Sequence, residues 1–263
     1  MRWKSDSRHS PDLVGLTCRA LGARRVRRLI AVQPVLLRDE PAGAFANWLA
    51  AMVKCMLVPI VPRPPKRLDG AEVFTGSGAS VRDFWQWAYS DLRTNTARGI
   101  LAEYLVALAV GSAGGTRREW DDYDVLTRDG VRVEVKSSGY LQVWEQRTLS
   151  RITFSGLASR SWPLGGTLAA EASYNADVYV FAIHTAVEHD AYDLLDVEQW
   201  EFHVLPVGVV AALGVKSLGL TTLRRLSAGA VKWSGLAQAV LAASPSPAGE
   251  PPGNTPYRAL TTL

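Results

Sequence analysis

Six residues constrain this chain more than any others: Val131 to Lys136, VRVEVK. Strand side chains alternate between two faces, so Val131, Val133 and Val135 point one way and Arg132, Glu134 and Lys136 the other. That pattern belongs to a half-buried strand with a charged face. The strand also has a partner at hand. Arg128-Asp129-Gly130 precedes it, Asp-Gly is a hairpin turn signal, and DYDVLT at 122–127 supplies a second strand.

Helical signals lie upstream. SVRDFWQWAYSDL, residues 80–92, opens on a capping serine and gathers Phe84, Trp85, Trp87 and Tyr89 on a broad apolar face. A second helix starts among Thr94, Asn95 and Thr96, runs through ARGILAEYLVALAV and stops at Gly111, a C′ glycine. Its apolar stripe of Leu101, Leu105 and Leu108, with Ile100 and Tyr104, makes Glu103 conspicuous. Downstream, RITFSG at 151–156, DVYVFAIHT at 177–185 and EFHVLP at 201–206 read as strands. DVEQW at 196–200 reads as a short helix, and TTLRRLSA at 221–228 and SGLAQAVLAA at 234–243 as closing helices. ASRSWPLGG, residues 158–166, is a loop, and the chain has no internal repeat.

Charge divides the molecule. Residues 1–70 carry 13 Lys/Arg against 5 Asp/Glu, a net of +8, and the remainder carries 16 against 20, a net of −4. The high isoelectric point therefore belongs to the N-terminal segment and predicts no basic groove in the main body. Residues 1–70 hold the basic cluster ARRVRRL (23–29) and the proline-rich VPRPPKR (61–67). They read equally as a nucleic-acid-binding arm or as an upstream extension, with translation starting at Met52 or Met56. The main body spans 71–243, and the Pro/Ser/Gly-rich tail, 244–263, is disordered by composition. Cys18 and Cys55 make neither a disulfide framework nor a zinc pattern, which fits a reducing cytoplasm. The most apolar window, 44–60, contains Lys54 and Pro59 and is shorter than the ~20 residues of a membrane-spanning helix, so the chain reads as soluble.

The charged face of the hairpin is where chemistry can reside. Neighbouring strands lie about 4.8 Å apart and Mg²⁺ binds oxygen at about 2.0–2.1 Å, so Asp124 and Glu134 on adjacent strands suit a shared ion. The Val135 carbonyl is a natural extra ligand, and Glu103 can arrive from a helix packed on the sheet. Lys136, two residues beyond Glu134 on the same face, can orient water or stabilise an anionic phosphate. That ensemble suits phosphodiester hydrolysis. Other chemistries have no footing: no Walker-type phosphate loop, no G-x-S-x-G elbow and no paired-cysteine zinc pattern, with His184 in an apolar strand, His189 in a turn and His203 alternating in EFHVLP.

Glu103 in a helix, Asp124 opening a strand and Glu134-Val135-Lys136 on the next strand resemble, in that order, the PD-(D/E)xK nuclease superfamily. The resemblance runs from Asp91 to Thr185, with weaker agreement to Ala243. It implies a restriction-endonuclease-like α/β core, with a central mixed sheet flanked by helices, in a nuclease domain over 71–243. It also implies metal-dependent cutting of nucleic acid, with Mg²⁺ as cofactor and Mn²⁺ able to substitute. Asp124, Glu134, Val135 and Glu103 are then the metal ligands, and Lys136 completes the catalytic set. The superfamily's proline before the aspartate is Tyr123 here, which leaves Asp122, of the same parity, as an alternative to Asp124. Asp124 is preferred because it directly precedes Val125-Leu126. The resemblance adds Gln142 as a residue that supports the site or touches substrate.

Around this core, Trp144 suits base stacking or core packing, and Arg98, Arg147 and Arg151 suit phosphate contacts or a solvated surface. Asp177 either opens a strand near the site or caps a turn. DNA is the expected substrate, with RNA open; a homodimer accords with enzymes that cut two strands, although the chain carries no legible dimer face. Restriction or host defence is the expected setting. The competing readings are a nucleic-acid-binding protein of this fold without catalysis, and an interaction domain whose charged strand is merely solvated.

Overall fold

The computed structural model describes residues 63–117, 119, 122–160 and 169–245. The expectations for the basic cluster, the cysteines, the two internal methionines, the apolar window at 44–60, the end of the loop from 161 and the tail from 246 lie outside the described residues. The described residues belong almost wholly to one compact unit, Pro65–Leu263.

Two helices come first. In α1, Val81–Tyr89, Ser80 and Asp83 form a reciprocal capping box. The expected apolar face is not buried: only Val81 is, while Phe84, Trp85, Trp87 and Tyr89 are exposed. Spacing made the helix amphipathic without supplying anything to cover it. In α2, Asn95–Ala109, the Thr94 side chain caps the start. The end is a Schellman motif: Gly111 N–H donates to Leu108 O, Ser112 N–H to Ala107 O, and Gly111 takes φ +71°. The buried stripe is rotated from the expected one. Arg98, Ala102, Leu105 and Val106 face inward, whereas Tyr104 and Leu108 are exposed.

The sheet has four strands in the order β1-β2-β4-β5: β1 Val125–Leu126, β2 Arg132–Gly139, β4 Val178–His184 and β5 Trp200–Pro206. β1 and β5 run antiparallel to their neighbours and β2–β4 is parallel, giving the expected mixed sheet. β3, Thr153–Ser155, pairs with β6, Ser217–Gly219, in a separate ribbon. Three further helices, α3 Val207–Leu213, α4 Leu220–Leu226 and α5 Trp233–Ala243, complete the described elements. α3 and β6 are additions to the expected pattern, and DVEQW forms a 3-10 turn over Val197–Gln199.

The sheet is covered on both faces. Val133, Val135, Val178 and Val180 pack with Ala102, Leu105 and Val106 of α2 and Leu236 and Val240 of α5. On the opposite face Tyr179, Phe181, Ile183 and Leu205 pack with Phe154 and Leu218 of the ribbon and with Val210 and Leu223 of α3 and α4. Every residue of β4 is buried, as its unbroken apolar run requires. Burying one such Val or Phe is worth about 1.5–3 kcal/mol, so the central strand dominates what holds β2 in place. None of the helices among the described residues is long and apolar enough to cross a membrane.

Candidate active site

β2 alternates as expected: Val133 and Val135 are buried, and Arg132, Glu134 and Lys136 are partly exposed. Glu134 and Lys136 are registered against Tyr179 and Phe181, so they project from the face that β3 and β6 partly cover. The hairpin turn has three residues. Thr127 N–H donates to Val131 O, Gly130 N–H donates to Thr127 O, and Gly130 takes the left-handed φ of +82° that closes such a loop.

The β1 ladder is short for a reason that bears on the site. Asp124 N–H donates to Val133 O at 3.1 Å. The next outward-facing donor of β2, Val135 N–H, goes to Asp124 Oδ2 at 2.7 Å. The carboxylate thus takes the place of a backbone carbonyl and ends β1 after two residues. A strand residue's N–H and C=O point to the same edge, so the Val135 carbonyl opens beside Asp124, beyond the last β1–β2 pair.

Around that edge the charges gather. Glu134 Oε1 and Lys136 Nζ are 2.6 Å apart, with side chains 14% and 22% exposed. Glu103, from α2 on the other face, is also 14% exposed and holds Arg117 with both oxygens, the Nη2···Oε1 distance being 2.9 Å. Asp124 has no such cation among the described residues. Burial, then the charges of Glu134 and Glu103, push its carboxyl up to about 7, against the pull of the Val135 amide and Lys136. The same burial, with Glu134, Tyr174 and Asp124 nearby, raises the Tyr179 phenol, which donates to Leu157 O. Glu103, Asp124, Glu134 and Lys136 are therefore one electrostatic cluster on one edge.

Among the described residues no three or more His, Cys, Asp or Glu side chains are arranged to hold a metal ion. Glu103 is taken by Arg117 and Glu134 by Lys136. The donor chemistry nevertheless suits a hard cation: oxygen donors meet at this edge, and Asp124 is disfavoured as an anion by burial and by the charges of Glu134 and Glu103.

The other expected residues separate. Asp122 acts electrostatically on Arg132, whereas Asp124 reaches Val135. Gln142 spends its amide on Gly139 O and on Arg98. Arg98, expected at a phosphate or on the surface, is 3% exposed and donates to Leu141 O, Asn95 Oδ1 and Gln142 Oε1. It can lie there because residue 139 is glycine; a Cβ would stand 3.2 Å from Arg98 Nη1. Trp144 is 54% exposed, which removes it from the core, and Arg147 and Arg151 are on the surface. Asp177 grips Arg132 through its side chain and its backbone N–H, fastening β2 to β4. His184 and His203 are buried and structural, bound to Asp193 O and Ser227 Oγ.

Two site neighbours had no expectation attached. Arg117 sits in a Gly-rich loop after α2, and only the fold brings it to Glu103. Gly156, at φ +64°, lies beside Lys136: a Cβ there would be 3.9 Å from Nζ. The one signal for it was its place at the end of a short strand.

The family described as Bacteriophage T4 endonuclease IV has a model that matches residues 86–196, less than half of the chain but containing Glu103, Asp124, Glu134 and Lys136. No curated protein and no solved structure matches. The likeness to an endonuclease family, over the segment that builds the charged edge, indicates a nuclease.

Proposed function

We propose that the chain is a Mg²⁺-dependent endonuclease that hydrolyses phosphodiester bonds in DNA, built on the PD-(D/E)xK plan and serving restriction or host defence. The observation that carries this reading is the arrangement at one edge of β2, where Asp124 accepts the Val135 amide while Glu134 and Lys136 pair two residues apart. Asp124, Glu134 and the Val135 carbonyl would hold the ion, and Glu103 would join them when it leaves Arg117. A divalent cation there supplies positive charge to the phosphate and lowers the pKa of water.

The chain's own groups supply the remainder. Lys136 is an ammonium held by Glu134 in a partly buried setting, where charge acts more strongly than in water. It stabilises the negative charge that builds on the phosphate oxygens as water adds to phosphorus and the P–O bond to the leaving oxygen breaks. Asp124 fixes the edge of β2 through the Val135 N–H, and a cation bound there would offset the burial and the neighbouring carboxylates that disfavour its charged form. Tyr179 under Glu134 and Gly156 beside Lys136 limit the room those side chains have.

A cleavage assay tests this on plasmid, linear and single-stranded DNA and on RNA, with Mg²⁺, Mn²⁺ or EDTA. Cutting that needs the divalent ion and is lost in Glu134→Gln supports the proposal; cutting in EDTA, or by the variant, sinks it. A second reading is favoured by the self-paired carboxylates: a nucleic-acid-binding protein of this fold without catalysis. Binding with no cleavage under any divalent ion selects it.

A further inference from the structure

Just beyond the site strand the chain makes a closed loop. Ser150 N–H donates to Tyr140 O at 2.9 Å, so residues 141–149 leave and return at one point. The Gln146 side chain organises its interior. Its Oε1 accepts Gln142 N–H at 2.7 Å, and its Nε2 reaches Tyr140 O at 3.1 Å, Thr148 O at 3.3 Å and Ser150 Oγ at 3.1 Å. Buried Arg98 ties the first foot to α2 through Leu141 O and Gln142 Oε1. A loop with its polar groups satisfied this fully is held in one shape.

That shape is inverted for a folding element. Val143, Trp144 and Leu149 are 43%, 54% and 46% exposed, while the polar hub lies inside. Arg147 and Arg151 are exposed and make no ion pair among the described residues; Glu145, also exposed, is the one acid in residues 140–151. Both feet lead to the site. Tyr140 lies four residues past Lys136, and the second foot runs through Arg151 and β3 to Gly156, beside Lys136.

We propose that this Gln146-held loop is the docking surface for the polynucleotide strand, with Trp144 stacking on a base and Arg147 and Arg151 against its phosphates. The inference rests on the nuclease reading and names how that site takes its substrate. Aromatic stacking is tolerant of sequence and arginine contacts follow the backbone, so the loop contributes affinity and placement rather than a sequence code. Arg98 and Gln146 act as positioning residues: they fix the loop and touch no substrate.

The test uses the full chain and fluorescein-labelled single- and double-stranded DNA in EDTA, where binding is read by anisotropy without cleavage. Trp144→Ala is expected to weaken binding about 10- to 100-fold, with Trp144→Phe retaining most of it. Arg147→Ala is expected to lower the slope of log affinity against log salt by about one. Gln146→Ala is expected to behave like Trp144→Ala. Unchanged DNA affinity in both Trp144→Ala and Arg147→Ala overturns the inference while leaving the nuclease reading in place, provided the parent cuts DNA and Glu134→Gln does not. Unchanged DNA affinity with altered oligomeric state in Trp144→Ala also overturns it, and makes the loop a protein contact. A parent that binds no DNA overturns both.

Discussion

Two aspartates flank β2, and each accepts one of its backbone N–H groups: Asp177 from Arg132 at 2.9 Å, Asp124 from Val135 at 2.7 Å. Their protonation moves in opposite directions. Burial pulls Asp177 upward, but the Arg132 guanidinium and amide outweigh it and hold the carboxyl below its usual value. Burial pulls Asp124 upward too, Glu134 and Glu103 add to it, and it reaches about 7. The strand treats the two alike; the cation makes the difference. Asp177 is a closed structural clasp with Arg132, while Asp124 lies buried beside two further carboxylates, Glu134 and Glu103.

The comparison breaks most visibly on activity. Lys136→Ala and Glu134→Gln are each expected to lower DNA cleavage on the order of 10³-fold, the scale of losing one preorganised charge at a reacting phosphate. Asp177→Ala is expected to leave turnover of the folded protein near the parent's. Single-turnover cleavage at saturating DNA measures this, and equal losses at both ends of β2 would erase the distinction.

On stability the order reverses. Asp177→Ala leaves the Arg132 amide and guanidinium without acceptors and loosens β2 from β4, at a cost of about 2–3 kcal/mol. Urea unfolding at pH 7 should show it as a lower midpoint with an unchanged slope. Glu134→Gln should move that midpoint far less.

Asp124 offers the sharpest sign. Its carboxyl is raised from 3.8 to about 7, so between those values the folded chain binds more protons than the unfolded one. The contribution is fully present below pH 3.8 and is lost as pH rises through 7. Asp124→Asn keeps an oxygen for Val135 N–H and removes the charge. It is expected to stabilise the fold by about 2 kcal/mol at pH 8, to gain nothing near pH 4, and to abolish cleavage. Thermal unfolding across pH 4–9 would contradict this if the parent and variant curves stayed parallel.

Much of this geometry could be read in the residues, and the exceptions have definite causes. The hairpin, the caps of α2 and the alternation of β2 follow from period-two patterning and turn chemistry. β1 came out shorter than its pattern because a carboxylate took over from the backbone at Val135. α3 was hidden because Val207-Gly208-Val209-Val210 has poor helix propensity and is helical through tertiary packing of Val210. The aromatics of α1 showed a face, and no local pattern says what covers a face. Arg98 and Arg117 lie where no local pattern puts them for a similar reason. Gly139 opened a buried berth for Arg98, and a loop return carried Arg117 to Glu103. Both depend on contacts remote in sequence.

The smallest effect tests whether the room around Lys136 is itself set by the fold. Gly156 has φ +64°, where a side chain is strained, and its Cβ would stand 3.9 Å from Lys136 Nζ, an ordinary contact. Gly156→Ala should therefore cost about 1 kcal/mol of stability from backbone strain, with no clash to disable the ammonium. Cleavage should fall only a few-fold. A control at Gly130, φ +82° with open space around its Cβ position, separates the two contributions. Gly130→Ala should match the stability loss while leaving turnover unchanged. If Gly156→Ala instead stopped cleavage while its unfolding midpoint matched that of Gly130→Ala, the wall beside Lys136 would be part of how the ammonium is aimed, and the active edge would extend from the hairpin onto β3.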